Sequence, residues 1–458
     1  VWKMVGGGGH PGRFSKRAFT SSSSSFNATG ESAATSKGSV PRFATLLATA
    51  AVSFGGYTYL LSDAQRSEAQ FLFFSKVSPL MRLMDPETAH NVGIELLARG
   101  VSPLETRPDN NTLTVTRWGV TFPNPIGLAA GFDKDAKAFP SLLGAGFGFV
   151  EIGSVTPKPQ PGNPKPRVFR LQEHGAVINR YGFNSEGHES AKIRLQKYRE
   201  ERPTQFDIES ERKQSGKPQS ADLDSNSSSK FTPPLGVNLG KNKLTPEAEA
   251  YFDYTKGVKE LGRTADYLVV NISSPNTPGL RNLQSKKFLK TLMTKVLRER
   301  DSLPDGHRPP VLLKIAPDLS DKDVGDIASA ALSAKVDGII VSNTTVARPD
   351  FIQKHVNGHE AGGLSGAPLM DASTEMLAKV YKATDGKIPL VGCGGISNGH
   401  DAYRKIKAGA SLVQLYTAFA YQGPGMLPAM KNELSECLKR DGFASVEDAV
   451  GADHRKKK

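Results

Sequence analysis

Between residues 126 and 416, short apolar runs alternate with longer amphipathic stretches, and this alternation limits the possible folds more than any other feature of the sequence. The apolar runs predict eight strands, at Ile126–Ala130, Phe147–Ile152, Leu235–Leu239, Tyr267–Asn271, Val311–Ile315, Gly338–Ser342, Pro389–Gly392 and Leu412–Tyr416. The stretches between them predict helices, most clearly at Pro246–Leu261, Phe288–Arg300, Asp321–Ser333 and Ala372–Ala383. Strands that are apolar on both faces are typical of a parallel sheet covered by helices, and eight strand–helix units match a closed (β/α)8 TIM barrel.

Polar groups at the ends of the predicted strands favour the barrel over an open, doubly wound sheet. Asn238, Asn271, Lys314 and Asn343 each close a different strand, and the pairs Gly131-Phe132, Gly153-Ser154 and Gly394-Gly395 follow three others. In a barrel these seven strand ends surround one mouth, where the active sites of barrel enzymes lie. In an open sheet, which binds ligands at one switch point, they would lie along a line too long for one small ligand.

Two glycine-rich turns stand late in the chain, at 362–369 and 392–397, and each precedes a predicted helix. Barrels often hold a phosphate group on backbone N–H groups in this region, with the help of a helix N-terminus. The turns therefore indicate a phosphorylated cofactor or substrate, although tight packing would explain either turn by itself.

The strand ends offer amides and one lysine rather than acid–base or metal-binding groups. A lysine deep in a barrel is unfavourable unless it meets an anion, so Lys314 either forms a Schiff base or lies beside a ring that becomes negative on reduction. The neighbouring asparagines favour the ring, because amides recognise imides and carboxylates. No strand end carries a histidine or a metal-ligand cluster, and Asp133 is the only acid that we identify there. Hydrolytic and metal-dependent mechanisms therefore lack their usual groups.

The stretch N-I-S-S-P-N-T-P-G-L-R, residues 271–281, follows an apolar strand with five uncharged hydrogen-bonding side chains and two prolines. Ser274 is a candidate base, but a serine hydroxyl has a very high pKa and needs an acidified substrate proton and an onward route for that proton. Turn hydrogen bonding before Pro275 explains Ser273 and Ser274 equally well.

The N-terminal region predicts a targeting segment followed by a membrane anchor. Residues 1–42 are rich in serine and arginine and poor in acids, as in mitochondrial transit peptides, although an ordinary disordered tail is the alternative. Residues 43–62 carry no charge and are long enough to span a bilayer core of about 30 Å as a single transmembrane helix. Residues 63–105 predict a small helical subdomain, which either forms a bundle or rests on the membrane and frames an apolar slot.

Charge and polarity mark the remaining segments. Residues 1–42 carry a net charge of +5 and residues 454–458 a net charge of +4, so only +4 of the total of +13 falls between them. This distribution, without a basic stripe, argues against nucleic acid as a partner. We predict that the barrel spans 106–445, that the polar, serine-rich stretch 200–233 is a disordered insertion, and that 446–458 is a basic tail.

Seven motifs taken together resemble the dihydroorotate dehydrogenase family. Besides 271–281, these are A-A-G-F-D-K (129–134), N-R-Y-G-F-N (179–184), K-I-A-P-D-L (314–319), S-N-T-T (342–345), G-G-L-S-G (362–366) and Q-L-Y-T (414–417). The resemblance is to class 2, the membrane-bound mitochondrial type. It rests on Ser274, where soluble class 1 enzymes carry cysteine, and on the segment 43–100, which class 1 lacks.

The resemblance implies an FMN cofactor across the barrel mouth and a pyrimidine substrate above it. The residues implied to contact FMN are Ala129, Ala130, Gly131, Ser154, Asn238, Asn271, Lys314, Ser342, Ser365, Gly366, Gly395, Tyr416 and Thr417. Dihydroorotate, and orotate as product, would contact Lys134, Asn179, Arg180, Tyr181, Gly182, Phe183, Asn271, Asn276, Asn343 and Thr344. Ser274 would take the C5 proton of the substrate while C6 gives a hydride to FMN, and Phe183 and Thr277 would shield that serine and help to relay its proton.

The resemblance also implies the second substrate and the cellular location. Ubiquinone would reoxidise FMN after entering through the apolar slot, with His90, Arg170 and Tyr416 along its tunnel. The expected enzyme is a quinone-linked dihydroorotate dehydrogenase of de novo pyrimidine synthesis. It would be a monomer held by one span in the mitochondrial inner membrane, in contact with its lipid, with the catalytic domain outside the matrix.

Overall fold

The computed structural model describes residues 61–208, 232–304 and 307–455. Its strands, labelled in chain order, are β1 (Val115–Arg117), β2 (Val120–Phe122), β3 (Ile126–Leu128), β4 (Phe149–Val155), β5 (Val168–Leu171), β6 (Ala176–Asn179), β7 (Leu235–Leu239), β8 (Tyr267–Asn271), β9 (Val311–Ile315), β10 (Gly338–Val341), β11 (Gly363–Gly366), β12 (Leu390–Cys393) and β13 (Ala410–Leu415). The α-helices are α1 (Asp63–Val77), α2 (Pro86–Ala98), α3 (Phe139–Gly144), α4 (Gly187–Glu201), α5 (Ala250–Leu261), α6 (Lys286–Asp301), α7 (Asp321–Ala334), α8 (Asp350–Gln353), α9 (Met370–Ala383), α10 (Gly399–Lys407), α11 (Thr417–Gln422), α12 (Met426–Arg440) and α13 (Val446–Ala449).

Eight parallel strands close into the predicted barrel, in the order β3, β4, β7, β8, β9, β10, β12 and β13, with β13 paired to β3. Each lies where the apolar runs predicted a strand; the bounds of β7, β8 and β9 agree with the prediction, and the ends of the other five differ by one to three residues. The strand β3 is shorter than expected because Ala129 and Ala130 already belong to the loop at the mouth. The strand β4 continues to Val155, since Gly153 and Val155 still pair with β7.

Aromatic rings fill the amino-terminal end of the barrel, opposite the mouth. The ring of Phe149 lies over Gly127 of the neighbouring strand, where an added Cβ would come within 2.3 Å of it. Tyr267 lies over Gly236 in the same way, at 2.1 Å. The Phe149 ring also meets Phe122 of the β1–β2 hairpin, with ring centroids 5.4 Å apart. The β1–β2 hairpin therefore covers the amino-terminal end of the barrel.

A three-stranded antiparallel sheet, β5–β6–β11, lies outside the barrel and was not predicted. One of the two glycine-rich turns is in fact partly a strand, because β11 pairs with β6 over its whole length. A short 3₁₀ helix, Ala367–Leu369, then leads into α9. Close packing against the loop after β10 explains part of the glycine content, since an added Cβ at Gly363 would lie 1.9 Å from Thr344 Oγ1.

The segment 63–105 contains α1, a 3₁₀ helix at Ser78–Leu83 and α2, and it is not helical after Ala98. Buried Arg167, in the loop before β5, forms an ion pair with Glu87 of α2 at 2.8 Å and so joins the helical segment to the barrel domain. The predicted transit peptide and nearly all of the predicted anchor at 43–62 lie outside the described residues. Over the ranges that the structure describes, we find no helix of the length and hydrophobicity needed to cross a membrane.

The predicted insertion at 200–233 and the predicted tail at 446–458 both pack on the barrel domain, as far as the structure describes them. At the start of the predicted insertion, Thr204 is buried and Gln205 exchanges hydrogen bonds with the backbone of Thr121; residues 209–231 lie outside the described residues. In the predicted tail, Val446 of α13 is fully buried and His454 stacks on Tyr381 at 4.8 Å. The packed domain therefore continues to at least residue 454.

Candidate active site

A cavity of about 350 Å³ lies at the carboxyl ends of the barrel strands, between the mouth, the outer sheet and helices α1, α2 and α11. It is lined by most of the residues that the sequence placed there: His90, Ala129, Ala130, Gly131, Lys134, Ser154, Arg170, Asn179, Tyr181, Gly182, Phe183, Asn271, Ser274, Asn276, Lys314, Ser342, Asn343, Thr344, Ser365, Gly366, Gly395, Tyr416 and Thr417. Residues from widely separated parts of the chain between 90 and 417 therefore converge on one space.

Three predicted residues do not line this cavity. Arg180 turns away from it, because its guanidinium pairs with Glu360 at 2.5 Å and lies over the Phe169 ring. Asn238 is fully buried one layer below, where its amide oxygen accepts a short hydrogen bond from the Ser154 hydroxyl. Thr277 is buried beside the loop, and its hydroxyl has no hydrogen-bond partner among the described residues.

The amides at the strand ends hold one another in fixed orientations. Asn271 Nδ2 donates to Ser154 Oγ at 2.9 Å, and Asn271 Oδ1 lies 3.3 Å from Asn343 Nδ2. Asn343 Oδ1 in turn accepts the backbone N–H of Thr344 at 2.8 Å, and Asn276 Nδ2 reaches Asn179 Oδ1 at 3.4 Å. Because each amide has partners from neighbouring strands, the cavity presents preset hydrogen-bond donors and acceptors to a ligand.

The structure separates the two serines that the sequence could not distinguish. Ser273 is fully buried, and its hydroxyl lies 3.0 Å from Asn343 Nδ2 and 3.2 Å from Asn271 Oδ1. Ser274 lines the cavity, and its Oγ accepts only a long hydrogen bond, 3.3 Å, from the backbone N–H of Asn276. Ser273 therefore supports the amide cluster, while the hydroxyl of Ser274 remains available to a bound molecule.

Lys134 is a half-buried cation at the polar side of the cavity. Burial lowers the pKa of Lys134 to about 8. Its ammonium lies over the Tyr181 ring at 4.2 Å and 3.3 Å from His90 Nε2. Burial, and then the Lys134 charge, lower the pKa of His90 well below its usual range, so His90 is neutral at physiological pH. With a pKa of about 8, Lys134 is largely protonated at neutral pH, and its positive charge suits an anionic ligand.

A second charge lies directly below the mouth and escaped the sequence analysis. Glu151 of β4 is fully buried, and its carboxylate accepts hydrogen bonds from Asn238 Nδ2 at 2.8 Å and Gln414 Nε2 at 2.6 Å. Lys314 Nζ lies 3.7 Å from the same carboxylate and also faces the cavity. Asp133 is thus not the only acid near the cavity, although Glu151 lies inside a strand and not at its end. An acid inside an apolar strand, F-V-E-I-G, was the available signal, because such a residue is rarely buried without a partner.

Asp133 itself has a structural task. Its carboxylate accepts three backbone N–H groups, those of Lys137, Ala138 and Phe139, at 2.7 to 2.8 Å. These contacts fix the turn from the mouth into α3. The side chain is buried and turned to its own loop, so it offers no acid–base group to the cavity.

The apolar part of the cavity extends between the helical segment and α11. Its walls include Phe74, Val77, Met81, Ala89, Leu97 and Phe419. Arg170 lies along this part, with its guanidinium donating to the backbone oxygens of Met84 at 2.6 Å and Arg82 at 3.1 Å. The ring of Phe132 meets both His90 and Tyr416, at 5.3 and 5.6 Å, where the apolar and polar parts join. The helices at 63–98 therefore frame a slot rather than a closed bundle.

The second glycine-rich turn lies on the opposite wall. Gly394 and Gly395 have φ angles of 111° and 83°, which favour glycine, and both line the cavity. An added Cβ at Gly395 would lie 2.4 Å from Met370 N at the start of α9. Close by, Thr417 Oγ1 donates to Ser365 Oγ at 2.9 Å. Tight packing thus requires these glycines, and the same turn leaves backbone groups facing the cavity.

A closed parallel barrel with an amide- and lysine-lined cavity at its carboxyl end defines the class: a (β/α)8-barrel enzyme with its active site at the mouth. The family profile described as Dihydroorotate dehydrogenase matches residues 112–438, which is well over half of the chain. The chain therefore belongs to the dihydroorotate dehydrogenase family.

Relatives and solved structures agree with this membership. The chain is 53% identical over 409 residues to Dihydroorotate dehydrogenase (quinone), mitochondrial, of Oryza sativa subsp. japonica, with 88% of this chain and 85% of that protein covered. It is 47% identical to the Mus musculus protein of the same description, with 89% and 97% covered. A crystal structure of DHODH from Eimeria tenella in complex with ferulenol superimposes with a TM-score of 0.72 at 43% identity, over 81% of this chain and 96% of that one.

Proposed function

We propose that this protein oxidises dihydroorotate to orotate and passes the electrons to a quinone, a step of pyrimidine synthesis. One observation carries the proposal: Lys134, Ser274 and Lys314 face the same cavity that the apolar helical segment opens at its other end. A polar compartment for an anionic substrate and an apolar entrance for a quinone are what the two half-reactions need. Relatives from rice and mouse carry the name dihydroorotate dehydrogenase (quinone).

FMN is the cofactor that the residues fit best. Small residues at Ala129, Ala130 and Gly131 leave space for a flat ring, and the Gly394–Gly395 turn offers backbone groups to a phosphate. Lys314, which pairs with Glu151 at 3.7 Å, would supply a positive charge to the flavin ring. Further contacts would come from Ser154, Asn271, Ser342, Ser365, Gly366, Gly395, Tyr416 and Thr417. Asn238 would support the cofactor indirectly, through the hydrogen bond that it accepts from Ser154. When bound, FMN would supply the hydride acceptor for the first half-reaction and the electron donor for the second.

Dihydroorotate would lie over the amide cluster. Its carboxylate suits the Lys134 ammonium, and its ring carbonyls and N–H groups suit Asn179, Asn271, Asn276 and Asn343, with the hydroxyl of Thr344. Tyr181, Gly182 and Phe183 would close one side of the substrate. Arg180 is left out of this set, because its charge is already paired with Glu360 outside the cavity.

Ser274 would act as the base that takes the substrate's proton. Its hydroxyl faces the cavity and has weak protein contacts, so it is free to bind the substrate. Phe183 lines the same cavity and would help to keep water from the serine. The unpartnered hydroxyl of Thr277 is a candidate for passing the proton on, because a buried hydroxyl without a partner is rare and suits an intermittent water or proton.

The quinone would enter through the apolar part of the cavity. His90, Arg170 and Tyr416 are polar groups along this path, and neutral His90 can hydrogen-bond a quinone oxygen without adding charge. We propose the same order of segments as the sequence predicts: a transit peptide at 1–42, one inner-membrane span at 43–62 and a monomeric catalytic domain outside the matrix. The span would bring the helical segment 63–105 to the lipid from which ubiquinone enters.

An absorbance spectrum of the purified protein tests the central claim. Flavin bands that bleach on anaerobic addition of dihydroorotate and return on addition of a short-chain ubiquinone would support it. Reoxidation by fumarate or NAD but not by quinone would instead favour a class 1-like enzyme. A colourless protein that borohydride links to its substrate through Lys314 would favour a Schiff-base lyase and overturn the proposal.

A further inference from the structure

Lys405 of α10 is a fully buried cation directly behind the Gly394–Gly395 turn. Its methylene groups pack on Gly392 of β12, where an added Cβ would lie 3.0 Å from Lys405 Cδ. Its ammonium donates to Ser373 Oγ at 2.7 Å and to Thr374 Oγ1 at 3.0 Å, both on α9. The hydrogen bonds of this ammonium therefore go to two neutral hydroxyl groups rather than to a carboxylate, which is an unfavourable setting for a buried charge.

A hydrogen-bond chain joins Lys405 to the cavity wall. Ser373 Oγ, which accepts from the lysine, lies 2.9 Å from Gly394 O and 3.1 Å from Met370 O. In a trans peptide the C=O and N–H groups point in opposite directions, so the N–H of Gly395 points away from Ser373. Gly394 and Gly395 line the cavity, and no hydrogen bond within the described residues uses the N–H of Gly395.

We propose that Lys405 is a positioning residue for the phosphate group of the cofactor, acting through Ser373 and the Gly394–Gly395 peptide. The ammonium polarises the hydroxyl and the peptide in turn, so the Gly395 N–H becomes a stronger donor to an anion on the cavity side. The bound anion in turn offsets the buried positive charge. This inference rests on the proposed function, since the phosphate is that of FMN.

The surroundings of Lys405 make its contribution to phosphate binding depend on pH. Burial lowers the pKa of Lys405 to about 7; of the titratable groups around it, Cys393 on β12, Asp371 on α9 and Asp401 on its own helix raise it, and Arg404 lowers it. A bound dianion raises that pKa, so FMN binding takes up a proton near pH 7 to 8. The support from Lys405 is complete at the lower pH and is lost as pH rises through the pKa of the FMN-bound form. The FMN phosphate stays dianionic above pH 7, because its second pKa is about 6.

Titration calorimetry of the full-length enzyme freed of flavin, with FMN and with riboflavin, tests this inference. We expect Lys405→Met to weaken FMN binding about tenfold and to leave riboflavin binding unchanged, because riboflavin lacks the phosphate. Repeating the FMN titration in buffers of different ionisation enthalpy should show proton uptake by the natural enzyme near pH 7.5 and its loss in the variant. Lys407→Met is the matched control, since Lys407 lies on the same helix and pairs instead with Asp453 at 3.6 Å.

The outcomes separate the inference from the proposed function. Equal losses of FMN and riboflavin affinity in Lys405→Met would mean a purely structural role and would overturn the inference, as would unchanged FMN binding. If the Lys405 variant does not fold, Ser373→Ala breaks the same chain and should give the same selective loss. Failure of the natural enzyme to bind either flavin would overturn the proposed function itself, and the inference with it.

Discussion

The ammonium nitrogen of Lys314 lies 3.7 Å from Oε1 of Glu151, and both side chains are buried inside the barrel. Asn238 and Gln414, from two other strands, bind the same carboxylate. The lysine that faces the cavity is therefore held from below by a carboxylate that does not itself line the cavity. Its position at the mouth depends on this contact.

Glu151→Gln tests that dependence. The change keeps the size of the side chain but leaves the Lys314 ammonium buried without its counter-ion, which typically destabilises a protein by about 3 kcal/mol. We expect a lower free energy of unfolding in urea and a lower content of bound flavin. Tyr267→Phe is the control, because its hydroxyl makes only a 3.4 Å contact with the same carboxylate. A loss in the control as large as that in Glu151→Gln would contradict the importance of the charge pair.

The variants Ser274→Ala and Ser273→Ala should change different kinetic parameters. Removing the cavity-facing hydroxyl of Ser274 should lower the rate of flavin reduction by dihydroorotate about 100-fold or more at neutral pH, with flavin retained. Removing the buried hydroxyl of Ser273 takes a hydrogen bond from Asn343 and should chiefly raise the KM for dihydroorotate. Anaerobic stopped-flow measurement of flavin bleaching distinguishes the two. An unchanged rate in Ser274→Ala would remove this residue as the base.

Lys134 predicts a pH dependence of substrate capture. Its pKa of about 8 in the empty site means that the charge that attracts the carboxylate is lost as pH rises through 8. The kcat/KM for dihydroorotate, which reports the free enzyme, should therefore fall above pH 8. In Lys134→Met this decline should vanish and kcat/KM should be low throughout. A natural enzyme with a flat profile to pH 9.5 would show that another group binds the carboxylate.

The depressed pKa of Lys134 also affects stability. The folded state binds fewer protons at this lysine than the unfolded chain does between pH 8 and its usual pKa of 10.5. Stability from this group alone therefore rises with pH across that window, since the unfolded state holds the extra proton. The urea midpoint of unfolding, measured at pH 8 and at pH 10, tests this. The change in midpoint from pH 8 to pH 10 should be more positive in the natural enzyme than in Lys134→Met.

Gly93 offers a way to block the apolar part of the cavity alone. It lines the cavity on α2, and an added Cβ would meet nothing within 4 Å. Gly93→Phe should therefore fold and fill the slot, raise the KM for a short-chain ubiquinone about tenfold and leave flavin reduction by dihydroorotate unchanged. Gly325→Phe is the control, because Gly325 is equally open but lies on α7. Equal quinone kinetics in Gly93→Phe and the natural enzyme would place the quinone path elsewhere.

The sequence alone was enough for the barrel and for much of its cavity lining. Its strands are apolar on both faces, and this pattern persists whatever packs around them, so Tyr267–Asn271 and Val311–Ile315 were predicted to the residue. Polar residues at the carboxyl ends of parallel strands must converge in a barrel, which is why Asn271, Lys314 and Asn343 could be placed at one mouth.

Tertiary packing decided the directions in which polar side chains point, which the local sequence pattern does not encode. Arg180 stands in the motif 179–184 between residues that line the cavity, yet its partner Glu360 is 180 residues away and turns it outward. Ser273 and Ser274 are neighbours of the same type, and only the contacts of Asn343 and Asn271 separate the supporting hydroxyl from the free one. The sequence thus determined which residues reach the mouth, because the apolar pattern that marks each buried strand can be read from residues next to one another in the chain. Only the folded structure decided which of them face the ligand, because the direction of a polar side chain depends on partners far along the chain.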